Sequence, residues 1–456
     1  GAKPVPGVFQ WYADGAGNVR VGVGHSNEGR NSRLLYRAAN GEAFRTLDRA
    51  RSRAGEELIV PALFLGGNVA LALDDRDGFS ALYKLDLGSL KLGERVAGVP
   101  GYDLAGIVTD YGRSRLLGVQ LIEKGPKMLW LDPALAEIQA AFDRSVPGRR
   151  ALIVSLDKRQ HRMLVHVGAA DRPGAYYVFD PSLGKMQLLA TVNEAIGTAK
   201  LHPVRTIGYK ARDGVTIAAV LTLPSGRPHK ALPVVVMPHG GPFARDAETW
   251  DWWAQFLADR GYAVVQPNFR GSSGYGTEFA RKGEGQWGLA MQNDLNDALA
   301  HLAKEGIVDA KRACMVGASY GGYAALRAAQ RDAALYRCAV SYAGVSDLAA
   351  MLRYDRNFLN SGRRSDWLRT QAPDLKAVSP IHHARDFAIP VLLVHGKEDR
   401  RVPVRQSREM AEKLRAAGKN VRYIEQREAD HHFSREADRI EFLRALEAFL
   451  AEHNPA

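Results

Sequence analysis

A serine set between glycines, an aspartate eighty residues on and a histidine thirty-two beyond that supply the groups for acyl transfer through a serine ester. The serine is Ser319, in Gly317-Ala318-Ser319-Tyr320-Gly321. Apolar Met315 and Val316 precede it and the alanine-rich Ala324-Ala325-Leu326 comes after, which predicts a strand, a sharp turn and a helix. At the tip of such a turn a serine holds a strained backbone conformation, for which only small flanking residues leave room. Its hydroxyl is thereby exposed. The next helix would aim free amides and its positive dipole end at a developing oxyanion. On its own the motif is weak, since a serine in an ordinary tight turn reads the same way.

The order of the acid and the base along the chain strengthens it. The apolar run 390–394 leads through His395 and Gly396 to Asp399, and strand-like 421–424 leads to Asp430, His431 and His432. Each acid or base therefore stands just past a short buried strand, in the order Ser, Asp, His. In an open parallel sheet, loops leaving the carboxyl ends of neighbouring strands converge on one rim, so residues distant in sequence can meet there. Further β-branched runs at 233–237, 262–266 and 338–342 alternate with helical stretches to about Arg260, over 288–304 and from about Arg435 to Leu450. The expected fold is an α/β-hydrolase, a mostly parallel doubly wound sheet with helices on both faces.

These motifs resemble one family closely. Gly317 to Tyr323, His239-Gly240-Gly241-Pro242, the stretch Asn268 to Gly276 and His395-Gly396-Lys397-Glu398-Asp399 are similar to the prolyl oligopeptidase family of serine peptidases, and the His-Gly-Gly-Pro form to its acylaminoacyl-peptidase-like branch. The resemblance spans essentially all of 205–452. It implies Ser319 as nucleophile, Asp399 as the orienting acid in place of the solvated Glu398, and a histidine base. The family has His followed by Gly, whereas here two histidines adjoin; the register against Phe433 favours His431 over His432. The oxyanion hole is expected to use the amide of Tyr320 and one from the His-Gly-Gly-Pro turn, Gly241. Arg245 and Arg270 are candidate substrate contacts, with buried bracing arginines as the alternative. His239, His382, His383 and His395 lack the i, i+4 spacing of a zinc site, so no metal is expected, and the reaction needs no cofactor.

Residues 1–200 carry a repeat. Tyr36, Tyr83, Trp130 and Tyr177 stand 47 residues apart, and Asp14, Asp110 and Asp157 mark turns about twenty residues before three of them. Short alternating strands with several turns per unit predict about four blades of a β-propeller-like domain over 1–200, ahead of the catalytic domain over 201–456. A β-sandwich with coincidental spacing is the other reading. The family carries more blades and a short hydrolase segment ahead of them, so the expectation is a truncated chain, or a shortened form whose ring closes differently or borrows from a partner. In that family the propeller restricts the enzyme to short peptides.

Composition narrows the classes further. The 456 residues are 46% apolar and 25% charged, enough for two large cores. The net charge of +12 is spread along the chain and interleaved with acids, which reads as a solvated basic surface and excludes nucleic acid and membrane as partners. The apolar stretch 58–73 is broken by Pro61 and by Gly66-Gly67-Asn68, giving two strands around a turn. The two cysteines, Cys314 and Cys338, are expected as buried structural thiols with no disulfide framework. The pair Glu56-Glu57 reads as solvated. Localisation stays open between cytoplasm and periplasm, and so does association with a second copy or with a missing N-terminal segment.

Overall fold

Short strands joined by Asp- and Gly-bearing turns cannot bury a face alone, and in the N-terminal unit they stack as successive antiparallel sheets. The computed structural model describes residues 4–456. The first sheet runs β1 (Val8–Ala13), β2 (Val19–His25), β3 (Asn31–Tyr36), β4 (Arg45–Arg51); the second β5 (Leu63–Gly66), β6 (Val69–Asp74), β7 (Ala81–Asp86), β8 (Lys91–Ala97). The third has β9 (Leu104–Thr109), β10 (Leu116–Ile122) and β11 (Pro126–Trp130); the fourth has β12 (Arg150–Leu156), β13 (Met163–Ala169), β14 (Arg172–Asp180) and β15 (Lys185–Thr191). Tyr36, Tyr83, Trp130 and Tyr177 all lie on the third strand of their sheet. Asp14, Asp110 and Asp157 hold the first hairpin of three sheets, each accepting the backbone N–H four residues on, at 2.9, 2.7 and 2.6 Å.

Successive sheets share apolar clusters. Val21, Leu34 and Tyr36 pack with Phe64, Ala70 and Leu85; Leu63, Leu71 and Leu82 with Leu104 and Val119; and Leu117 with Ile153 and Val165. This blade-on-blade burial is a propeller's. After the three-stranded sheet the chain forms helix α1 (Pro133–Ser145), opened by Asp132, whose carboxylate accepts the Leu135 N–H, and by Pro133 in the first turn. The sequence reading missed this helix, although Leu135, Ile138 and Phe142 carry its spacing.

The boundary falls between Lys200 and Leu201, but Gly274–Glu278 and Arg356–Asp366 belong to the first unit as well. Charge holds the second of these segments there: the Asp366 carboxylate accepts from Arg30 at 2.7 Å and Arg53 at 2.9 Å.

The second unit is built on eight strands: β16 (Val204–Lys210), β17 (Thr216–Thr222), β18 (Leu232–Val236), β19 (Ala263–Asn268), β20 (Val308–Ala318), β21 (Cys338–Tyr342), β22 (Val391–Gly396) and β23 (Val421–Gln426). Their order is β16-β17-β19-β18-β20-β21-β22-β23, antiparallel at β16 and β17 and parallel from there on. Alternate residues face opposite ways. Val234, Val236, Met315, Ala339 and Leu393 face one core, against α4 (Ala290–Lys304), α5 (Tyr320–Arg331) and α8 (Arg405–Ala416). Val235, Val316, Val340, Leu392 and Val394 face the other, against α2 (Trp252–Asp259) and α9 (Glu436–His453), while α3 (Thr277–Arg281), α6 (Leu348–Asp355) and α7 (Ser361–Thr370) are short helices between strands. This is the α/β-hydrolase architecture that the motif order implied.

One expectation is corrected. Cys314 and Cys338 are not free thiols but a disulfide, with Cα atoms 4.8 Å apart. The reason is topological. A strand-helix-strand crossover makes β20 and β21 parallel neighbours, and their register sets these two residues side by side.

Candidate active site

Ser319 caps the N-terminus of α5 with φ 57° and ψ −118°, a strained conformation for a residue with a Cβ. The flanking glycines are a packing necessity. A Cβ on Gly317 would lie 2.5 Å from the Gly321 carbonyl, and one on Gly321 would lie 2.1 Å from the Pro238 oxygen. The turn is tied down by the Ser319 N–H, which donates to the Tyr342 carbonyl at 2.9 Å.

Asp399 follows β22 and is buried. Its Oδ1 accepts the N–H groups of Arg401 (2.7 Å) and Val402 (2.8 Å). Its Oδ2 faces two imidazoles, Nδ1 of His431 at 2.6 Å and Nε2 of His395 at 3.3 Å. Burial pushes this carboxyl up, but hydrogen bonds from His395 and His431, the His431 charge and the Val402 amide outweigh it and hold it well below the usual carboxylate range. A carboxylate only accepts, so Nδ1 of neutral His431 carries the proton and Nε2 presents its lone pair. His395 is set in the same way: Nε2–H points at the Val402 carbonyl (2.9 Å), and Nδ1 takes the Ser407 hydroxyl (2.7 Å).

The loop after β23 separates the two histidine candidates. His431 meets Asp399 with its side chain 12% exposed; His432 is exposed, and its ring meets His431 edge-on at 5.2 Å. Asp430 clamps this loop by accepting the N–H groups of His432 (2.9 Å) and Ser434 (3.2 Å). Tyr342 joins the pieces. Its carbonyl holds Ser319, its hydroxyl donates to the Asp430 carbonyl at 2.9 Å, and its ring stacks on Phe433 at 3.8 Å. Neither Ser319 Oγ nor His431 Nε2 makes a hydrogen bond among the described residues. Such bonds commonly tighten only with substrate in place.

On the other side of the serine runs the His239-Gly240-Gly241-Pro242 turn. A Cβ on Gly240 would stand 3.5 Å from the Ser319 Cβ, so the peptide carrying the Gly241 N–H passes beside Ser319. Gly241 has φ 114° and precedes a cis Pro242. The Tyr320 amide, at the first position of α5, is one of the helix's unpaired donors. A residue that the sequence analysis weighed only as a metal ligand holds this turn. His239 stacks on Phe269 at 4.4 Å, contacts Ser272 Oγ through Nε2 at 2.9 Å, and donates from Nδ1 to the Gly240 carbonyl at 2.8 Å. Carbonyl and N–H point opposite ways across one peptide plane, so gripping the Gly240 oxygen fixes where the Gly241 N–H points. Burial first pushes His239 down to about 4, the Gly240 hydrogen bond opposing and the Arg245 charge adding to it.

The two arginines part company. Arg245 sits partly buried where its charge bears on His239 and Asp246. Arg270 has the partners of the bracing alternative. Its Nε and Nη2 reach Asp294 at 2.9 and 2.7 Å, and Nη1 and Nη2 reach Asp213 at 2.7 and 3.0 Å, leaving no donor pair for a ligand. No group of three or more His, Cys, Asp or Glu residues suited to a metal ion occurs among the described residues.

Residues 248–455 match the model of the prolyl oligopeptidase family. The hydrolase unit belongs to the prolyl oligopeptidase family. Across 410 residues the chain is 29% identical to dipeptidyl aminopeptidase BIII of Pseudoxanthomonas mexicana, covering 86% of this chain and 58% of that one. It is 30% identical over 294 residues to the human acylamino-acid-releasing enzyme, covering 59% and 39%. A Mycobacterium tuberculosis puromycin-hydrolyzing peptidase superposes with a TM-score of 0.79 at 22% identity, over 98% of this chain and 70% of its own. That likeness shows the shared propeller and hydrolase fold. The chain spans 58% and 50% of the length of the first curated family relatives it matches.

Proposed function

We propose that the chain is a serine peptidase of short peptides, with Ser319 as nucleophile, His431 as the general base and acid, and Asp399 orienting it. Ser319 Oγ attacks the scissile carbonyl while His431 Nε2 takes its proton. The same nitrogen returns the proton to the leaving amine, and water then releases the acyl group from Ser319 by the reverse sequence. The amides of Tyr320 and Gly241 stabilise the oxyanion. The observation that carries this reading is the Asp399–His431 pair at 2.6 Å, on loops tied through Tyr342 to the strained turn of Ser319.

The substrate class rests on the names of the curated relatives, a dipeptidyl aminopeptidase and an acylamino-acid-releasing enzyme. An apolar acyl side chain fits the aromatic wall beside the His-Gly-Gly-Pro turn. There Phe243 and Trp367, each 40% exposed, meet at 5.7 Å, backed by Trp287 and Tyr320. Hydrolysis of acyl-aminoacyl, free-amino dipeptidyl and internally blocked peptide anilides, with p-nitrophenyl esters alongside, tests the proposal. Amide cleavage that disappears in Ser319→Ala is the expected result. Ester cleavage without amide cleavage would make the chain a carboxylesterase, and folded protein cleaving neither would leave a binding protein.

A further inference from the structure

Two partly buried carboxyls lie just beyond the oxyanion turn and take no part in the chemistry above. Asp246 is four residues past Pro242, and Asp251 caps α2. Gln266 and Asn268, on one face of β19, reach up to them. Asn268 brackets the backbone of Asp246, accepting its N–H at 2.7 Å and donating to its carbonyl at 2.9 Å. Gln266 donates to Asp251 at 3.2 Å and stands near enough to the Asp246 carboxyl to favour its charged form. Asp251 is well supplied, since its Oδ1 takes the amides of Trp253 and Ala254 at 2.8 and 3.0 Å. Asp246 is not. Its Oδ2 is buried with no hydrogen-bond partner among the described residues.

Two negative charges in this space repel each other more than the Arg245 charge offsets. The charged groups facing Asp246 are Asp251 on the α2 cap and Arg245 on its own segment; β19 offers only the two amides, and Glu248 turns to the Thr206 N–H and hydroxyl at 2.7 Å. A carboxylate oxygen with no donor is far costlier to bury than a neutral acid. Burial first, then the Asp251 charge, push Asp246 up to about 7 against the pull of Gln266 and Arg245.

We infer that Asp246 works as a neutral acid, a positioning residue that keeps the segment behind the Gly241 amide in place, so that loss of its proton slackens the oxyanion turn and shuts the enzyme down on the alkaline side. The link to the turn is short. Ala244, two residues before Asp246, is held by its carbonyl to the Ser273 N–H at 2.9 Å, and its own N–H closes back on the Pro242 carbonyl at 2.9 Å. An expelled Asp246 carboxylate would pull on this clamp directly.

The inference rests on the serine hydrolase reading, and the test separates the two. Inactivation by a fluorophosphonate is timed across pH in the wild type and in Asp246→Asn, whose amide stays neutral throughout. Dividing one rate by the other cancels titration of the base. The variant-to-wild-type ratio is expected to rise about tenfold or more between about pH 6.5 and about pH 9. A ratio flat to about twofold, with both proteins labelled, overturns the inference and leaves the hydrolase reading standing. Labelling that persists in Ser319→Ala overturns both. Should the Asn variant not fold, the infrared band of a buried neutral carboxylic acid in the wild type carries the test: its disappearance must track the fall in labelling rate, and a band absent at the lower pH overturns the inference.

Discussion

Replacing Asp399 by Asn changes one oxygen to an NH2 group, and the surroundings dictate where that group goes. Oδ1 is held by two backbone donors, Arg401 N–H at 2.7 Å and Val402 N–H at 2.8 Å. An amide placed there keeps its oxygen toward them and turns its NH2 toward Nδ1 of His431, 2.6 Å from the present Oδ2. That NH2 is a donor, so Nδ1 must accept and the ring proton moves to Nε2, the atom proposed to take the serine proton. Flipping the amide restores the useful tautomer but sets NH2 against two N–H groups. Two stranded donors cost about 2–6 kcal/mol together. Since about 1.4 kcal/mol is a factor of ten, the competent form falls to between about one part in thirty and about one part in twenty thousand. The expected result is a matching fall in kcat on an acyl-aminoacyl anilide, with KM little changed. A variant within about threefold of the wild type would refute the claim that Asp399 sets the tautomer of His431.

Three further outcomes rest on the same geometry. His239→Ala frees the Gly240 carbonyl and should lower kcat/KM by about a hundred- to a thousandfold. His239 is neutral when buried, pushed down to about 4 from 6.5 chiefly by desolvation, while the unfolded chain gains the proton first. Stability therefore falls as pH drops from about 6.5 to about 4, by up to about 3 kcal/mol, and the variant should flatten that slope in urea titrations. Arg270→Ala strands Asp294, whose side chain is 0% exposed, and should cost about 3–5 kcal/mol of stability without raising KM; a raised KM at unchanged stability would restore the substrate reading. Denatured, unreduced protein should resist alkylation of Cys314 and Cys338, and opening this link across 24 residues should cost about 3 kcal/mol; alkylation without reductant would count against the disulfide.

What could be read from the sequence was what depends on neighbours along the chain. The small residues around Ser319, the strand before it and the helix after it form a local pattern, and the 47-residue recurrence of aromatics tracks the third strand of each sheet. What escaped needs partners brought from afar. Nothing near Arg270 signals that Asp213 and Asp294, 57 and 24 residues away, close on its guanidinium. His239 looked like any histidine before a glycine pair until Phe269 and Ser272 were seen to hold its ring. Two misses were avoidable. The crossover from β20 to β21 makes those strands parallel neighbours, which suffices to suspect Cys314 of facing Cys338, and Asp132-Pro133 is a helix opening in its own right.

The central claim is that Ser319 carries the acyl group. Treating the folded chain with a fluorophosphonate and locating the adduct by peptide mass spectrometry measures it most directly. One adduct on the peptide containing Ser319, absent from Ser319→Ala, is the predicted result. An adduct on another residue, or peptide hydrolysis that survives the substitution, would contradict it.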